Sequence, residues 1–318
     1  MAEPPSAGAV FGVNGFNDLS GAGFARLAQG KRSSTPLKQS IVTARPHSPF
    51  PQSVLECLME IAGIGRVVFW EGGSLWLALM TGITQRHAHH AVQLCLPLEG
   101  TAQFQTERDG DWITYEGALI TPDVPHAFQA PGKVVANILF EPESAVGRTL
   151  LAGCAHIGVN RLDPGFVAPL AAPLASAYFG GADDDALRTL AQQTIARAAG
   201  VSPWPAAVDR RVLAAIVEIR EHIDEPISLA ALARRAGLSP GRFRHLFVAQ
   251  TGVSLRAFVL WERLNRALSI GFSGGSWTQA AHAANFADSA HLTRTCRRMF
   301  GLAPTSARVE DVERRQIA

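Results

Sequence analysis

No run of apolar residues in this 318-residue chain approaches the roughly 18 that a membrane-spanning helix requires; the longest candidate, Leu75–Met80, has the length of a strand. The N-terminus lacks a basic stretch followed by a long apolar block, so no secretory leader is read there. Four cysteines, Cys57, Cys95, Cys154 and Cys296, lie far apart with no CxxC spacing. That excludes a zinc ribbon or a disulfide framework and fits a reducing cytoplasm. No Ser/His/Asp or Cys/His nucleophile signature stands out, and no Gly-rich phosphate loop. Charged residues are only 18% of the chain and hydrophobic ones 47%, a balance that excludes wholesale disorder and fibrous repeats. Lysine is absent from residue 208 onward. There, 16 Arg oppose 10 Asp and Glu for a net +6, whereas residues 1–207 hold 13 basic and 17 acidic residues for a net −4. A basic part that meets a polyanion, joined to an acidic part with another task, accounts for that split.

At this length two domains are expected. Residues 1–51 are rich in Gly, Pro and Ser and read as a flexible arm. From Val67 short apolar runs alternate with turns: Val67–Trp70, Ser74–Met80, Ala91–Leu98, Ala102–Thr106, Trp112–Tyr115, Ala118–Thr121 and Val134–Phe140. Gly72-Gly73, Glu99-Gly100, Asp109-Gly110 and Pro131-Gly132 punctuate them, the pattern of an antiparallel β-barrel or sandwich over 52–141. Residues 142–206 read as a helical connector: Asp183–Asp185 opens a helix with Leu187, Leu190 or Ala191, and Thr194 or Ile195 on one face. Its end is GVSPWP, 200–205, the expected boundary of a C-terminal domain over 207–318 that folds and binds DNA without the rest.

In that last part Val212, Ile216, Ile219 and Ile223 form one helical stripe that Glu225-Pro226 is expected to end. Ser228 caps Leu229–Ala236, Gly237 turns the chain, Ser239-Pro240 restarts a helix and Gly252 stops it. This is the layout of a helix-turn-helix. It comes twice. Ser239, Phe243, His245, Phe247 and Gly252 recur as Asp288, Leu292, Arg294, Cys296 and Gly301 at a constant offset of 49. Asn285 takes the place of the turn glycine, and Leu255–Ser269 reads as the helix joining the copies. The whole is therefore α+β, with an N-terminal antiparallel β domain, a helical connector and an all-α double helix-turn-helix.

The stretch from Ile227 to about Arg308 resembles the DNA-binding domain of the AraC/XylS transcription regulators. The matching pieces are Ser228–Gly237 (SLAALARRAG), Leu238–Gly252 (LSPGRFRHLFVAQTG), Arg263-x-x-x-Ala267-Leu268 and Ala284–Pro304 (ANFADSAHLTRTCRRMFGLAP). Asn285 stands where that family usually has Gly, and Cys296 where it usually has Phe. The N-terminal half is similar to the cupin-like sensor domains many members carry, through His87-x-His89-x3-Gln93-x6-Gly100 and Gly117-x4-Pro122-x3-His126. Gln93 departs from the Glu usual in metal-binding cupins.

The resemblance places base contacts on the second helix of each unit. Gly241, Arg244 and His245 are the candidates in the first, and Ser289, Ala290, Thr293 and Arg294 in the second. Arginine is the best reader of guanine, so Arg244 and Arg294 lead. Arg242, Arg256, Arg297 and Arg298 are assigned to phosphates, and Arg263 to packing or an ion pair on the joining helix. His87 and His89, two apart on a strand, share a face. With Gln93, and with His126 from a later strand, they are expected to line an effector pocket. Neutral Gln93 argues against a metal there, so neither metal nor cofactor is expected, and ordinary buried histidines are the plainer alternative. The function implied is a cytoplasmic, sequence-specific transcription factor controlled by a small-molecule effector and not an enzyme. Its partners would be double-stranded DNA, RNA polymerase and a second copy in a homodimer, with no membrane. The rival is a metal-dependent, dioxygenase-like cupin enzyme fused to a DNA-binding module.

Overall fold

A computed structural model describes residues 62–200 and 207–309. The arm over 1–51 and most of the GVSPWP break lie outside the described residues. The β domain is built from β1 (Gly63–Trp70), β2 (Gly73–Met80), β3 (Ile83–His87), β4 (Val92–Pro97), β5 (Ala102–Gln105), β6 (Ile113–Tyr115), β7 (Ala118–Ile120), β8 (His126–Gln129), β9 (Val134–Phe140), β10 (Val159–Arg161) and β11 (Ala307–Val309). Seven strands form one sheet in the order β10-β7-β4-β9-β2-β1-β11, and four form a second in the order β3-β8-β5-β6. All pairings are antiparallel except β11, which runs parallel to β1. Between barrel and sandwich, the structure is the sandwich.

Both faces of the large sheet are covered, which is why β4 (VQLCLP) is buried at every position. Alternation sends Leu75, Leu77, Val92, Leu94, Ile138 and Phe140 to one face. There they meet α2 (Pro164–Phe179) and α3 (Asp184–Ala199), which follow the short α1 (Ala145–Ala152). The connector helices thus share one core with the sheet. The opposite face carries Met80, Cys95 and Val135 against Phe104 and Phe128 of the small sheet. Helix α2 was not legible in the sequence because Pro169 and Pro173 lie inside it. It forms nonetheless because Val167, Leu170, Ala171, Leu174 and Tyr178 are buried on the sheet, and such packing overrides propensity.

The C-terminal part comprises α4 (Arg210–Glu221), α5 (Leu229–Arg235), α6 (Pro240–Thr251), α7 (Leu255–Phe272), α8 (Trp277–Ala283) and α9 (Ser289–Phe300). The expected caps are present: Ser228, Ser239 and Asp288 side chains accept backbone N–H groups at three helix starts. Gly237, Gly252, Asn285 and Gly301 all take positive φ. Helix α4 stops at Glu221, four residues short of the expected Glu225. The turn that follows is held by Arg263, which donates to the carbonyls of Ile223 (3.2 Å) and Glu225 (2.7 Å). This gives Arg263 the packing role anticipated for it.

The two helix-turn-helix units differ in what they pack against. The first has its own core, with Val212, Ile216, Ile219, Phe243, Phe247 and Phe258. The second shares a core with the β domain, where Trp261, Leu292, Cys296 and Phe300 pack with Ala91 and Leu139. Trp76 of β2 lies 5.0 Å from Phe300 and 5.5 Å from Phe272 between ring centroids. After α9 the chain returns as β11, extending the large sheet. No helix among the described residues is long and apolar enough to cross a membrane.

Candidate nucleic-acid interface and histidine cavity

In the first unit Phe243 and Phe247 are fully buried and Leu246 is half-buried, so α6 is anchored along one side. Gly241, Arg242, Arg244 and His245 on its other side are exposed. In the second unit Leu292, Thr295, Cys296 and Phe300 anchor α9. Ala290, Arg294, Arg297 and Arg298 are exposed, while Ser289 and Thr293 are half-buried and the Thr293 hydroxyl donates to the Ser289 carbonyl at 2.8 Å. The anchoring core tolerates Cys296 in place of a larger residue. Burial there pushes its thiol up to about 12, so it stays protonated and inert.

Some of the arginines of the C-terminal part are held in ion pairs. Arg211, Arg220 and Arg235 are tied to Asp209, to Glu71, Glu141 and Glu262, and to Glu218 respectively. Arg242, Arg244, Arg256, Arg294, Arg297 and Arg298 have no ion-pair partner among the described residues. Arg244 and Arg256 line a cleft of about 670 Å³ between the two units, together with Asn285 and His291 of the second. Arg256 sits in the first turn of α7, where free backbone N–H groups also favour an anion.

The four residues expected in the sensor do converge. His87, His89, His126 and Gln93 are all buried, and a ring nitrogen of each histidine lies within 4.8 Å of the others. Strand alternation is not the cause for the first pair, because β3 ends at His87 and His89 lies beyond it. His126 opens β8, paired directly opposite His87. The polar pair Gln93 and Asn137 sits on the inner face of the large sheet, and the Gln93 amide donates to Asn137 Oδ1 at 2.8 Å. Its Oε1 lies 2.9 Å from His89 Nε2. Burial, more than mutual repulsion, holds all three imidazoles neutral: His87 and His89 fall below the usual histidine range and His126 drops to about 3.

Sequence reasoning missed Asn137 and the lid over this cluster. The cavity, about 80 Å³, is bounded partly by Phe300 and Leu302 from the end of the second unit. Gln85 donates to the Gly301 carbonyl at 2.9 Å, and Ala88 to that of Arg298 at 3.4 Å. Nothing in the helical pattern of α9 signals that its last turn also closes a β-domain cavity.

Residues 232–309 match a family model described as a helix-turn-helix domain. Among solved structures, ToxT from Vibrio cholerae O395 is similar at 11% identity and a TM-score of 0.49, over 74% of this chain and 96% of that one. An AraC-type DNA-binding-domain regulator from Chromobacterium violaceum is similar at 27% identity over 30% of this chain and 87% of its own, with a TM-score of 0.29. A DNA-binding transcriptional dual regulator from Escherichia coli K-12 shows 21% identity over 37% and 99%, with a TM-score of 0.28.

Proposed function

We propose that this chain, whose C-terminal residues form an AraC-type double helix-turn-helix domain, is a sequence-specific DNA-binding regulator of transcription. Helices α6 and α9 enter successive major grooves on one face of the duplex, about 10 bp apart. The observation that carries this reading is the placement of the arginines: all six on or beside the recognition helices are exposed and unpaired among the described residues, within a C-terminal part where Arg210, Arg234, Arg266 and Arg308 are exposed and unpaired as well. Arg244 and Arg294, with Gly241, His245, Ser289, Ala290 and Thr293, read bases. Arg242, Arg256, Arg297 and Arg298 meet phosphates, and the basic cleft between the units takes the backbone that separates the two grooves. The β domain is the sensor, and the histidine cavity beneath the second unit is where its effector acts.

Selection of bound sequences from random duplex DNA by the full chain tests this. Arg244→Ala and Arg294→Ala are each expected to cost about 1–3 kcal/mol and to relax the selected motif at one or two base pairs, the two positions lying one helical turn apart. Arg297→Ala is expected to weaken all sequences alike. An unchanged motif with Arg294→Ala overturns the assignment of α9.

A further inference from the structure

We infer that His291 holds a phosphate of the DNA backbone as an imidazolium, so that binding of DNA takes up a proton. The internal repeat points to the residue. At the offset of 49 that relates the two units, His291 is the counterpart of Arg242. Each stands three residues after its N-cap. Each donates its backbone N–H to the capping side chain, Arg242 to Ser239 Oγ at 3.4 Å and His291 to Asp288 Oδ1 at 2.6 Å. Arg242 is exposed, has no ion pair among the described residues and is assigned above to a phosphate. The first turn of a helix laid on DNA is where phosphate oxygens meet free backbone N–H groups and the side chains beside them. The second unit thus carries a titratable side chain where the first carries a permanent cation.

The surroundings of the ring fit that task. It is steadied by buried Phe286, which it meets edge to face with 5.1 Å between centroids and 77° between planes. Neither ring nitrogen has a hydrogen-bond partner among the described residues. The residue lines the cleft of about 670 Å³ between the units, whose charged lining residues are Arg244, Arg256 and Arg263, with no carboxylate among them. Arg263 is spent on the carbonyls of Ile223 and Glu225. That leaves Arg244 from α6 and Arg256 from α7 as the free cations across the cleft, while its remaining wall, residues 226–229, is uncharged. On α9 itself Arg294 lies three residues on, and Asp288 caps the helix with Oδ1 already engaged. Helix α8, packed beside α9, brings one titratable group, the exposed His282.

Histidine is the side chain whose charge ordinarily changes between roughly pH 5 and 8. A phosphate set against it favours the charged form, as any close anion does. The ring N–H then makes a charge-assisted bond to a phosphate oxygen, and the imidazolium releases one counterion more than the neutral ring. A proton held by the complex and not by the free protein makes affinity rise as pH falls and decline as pH rises, by at most about ten-fold per pH unit. Arg242 brings no such dependence, because a guanidinium stays charged throughout this range. The proton linkage rests on the DNA-binding reading proposed above and adds a dependence on pH to it.

The test is the affinity of full-length protein for two duplexes, one with the selected motif and one of scrambled sequence, by fluorescence anisotropy at pH 6 and pH 8 and constant ionic strength. Phosphates carry no sequence information, so wild type is expected to gain at least about five-fold from pH 8 to pH 6 on both duplexes. Its log–log salt slope should be steeper by about one at pH 6. His291→Asn should bind at both pH values as wild type does at pH 8, and His291→Arg as wild type does at pH 6. Either variant decides the matter if the other fails to fold. His245→Asn should keep the gain on the scrambled duplex. A gain confined to the selected duplex makes the titrating histidine a reader of bases and overturns the assignment. So does a gain that survives His291→Asn, or a wild-type affinity that ignores pH while the motif is still selected. Selection of no motif at either pH overturns the DNA-binding reading itself, and the proton linkage with it.

Discussion

Arg220 shows how much a single side chain holds. It projects from α4 between the β domain and α7, pairing with Glu262 through Nε at 3.1 Å, with Glu71 at 3.4 Å and with Glu141. Three carboxylates converge on one guanidinium, and the Glu143 and His90 pair (3.1 Å) lies close enough to act on Glu262. Burial raises the Glu262 carboxyl above its ordinary value, against the pull of Arg220. A carboxyl raised in the fold favours the protonated state, so it costs stability above that raised value and regains it as pH falls through it. Arg220→Ala removes the opposing cation and raises the carboxyl further. The variant is expected to lose about 3 kcal/mol at pH 7 and to recover part of that on acidification to pH 5. Urea unfolding at the two pH values checks it; an equal deficit at both would mean that Arg220 acts by packing alone.

At the scale of elements, the repeat provides its own control. Gly252 and Gly301 end the two recognition helices at equivalent positions, with φ of +80° and +71°. A Cβ at Gly252 meets nothing within 4 Å, whereas one at Gly301 would lie 2.1 Å from the Gln85 carbonyl oxygen and 2.7 Å from His87 Nδ1. Gly252→Ala is expected to cost only the left-handed conformation, about 1 kcal/mol. Gly301→Ala adds the overpacking of β3 against α9, a further 1–3 kcal/mol or so. The difference between the two in denaturant unfolding measures the contact between the second unit and the β domain. Equal losses would show that α9 does not bear on β3.

Considered whole, the molecule fastens its two helix-turn-helix units differently. The first closes its own core and meets the β domain through Arg220 and through His90, whose ring lies 5.8 Å from Phe258. The second is packed against Trp76, Leu139 and Ala91 and is tied on by β11. A chain cut to residues 207–318 is expected to keep the first unit folded and to expose Trp261, Phe272 and Phe300 in the second. Hydrogen exchange should then show protection in α4–α7 close to that of the full protein, and a loss of at least ten-fold in α8 and α9. DNA binding by the piece should retain a steep salt dependence, since phosphate contacts release counterions. Full protection of α9 in the isolated piece would show the second unit to be self-sufficient.

Most local signals of the C-terminal part were in the sequence, the end of α4 and the start of α8 excepted. Caps at Ser228, Ser239 and Asp288, turns at Gly237 and Asn285 and the stops at Gly252 and Gly301 depend on a few adjacent residues, so short-range chemistry settles them. The exposed arginines of α6 and α9 followed from helical period once Phe243 and Leu292 were placed inside. The apolar runs that became β1, β2, β4, β5, β6, β7 and β9 were legible for the same reason, as were the histidine and glutamine members of the cluster, whereas β3, β8 and β10 showed no such run. What remained hidden depends on partners distant in the chain. Helix α2 carries two prolines and survives because a sheet covers its apolar stripe. β11 is three residues long and exists only as the edge partner of β1. The rings of His87, His89 and His126 are held by carbonyls at Gln85, Ala91 and Val124, whose direction depends on where the strands end. Sequence period tells which side of its own element a residue faces. Only tertiary packing decides what lies opposite, and it is packing that puts the second helix-turn-helix over the histidine cavity.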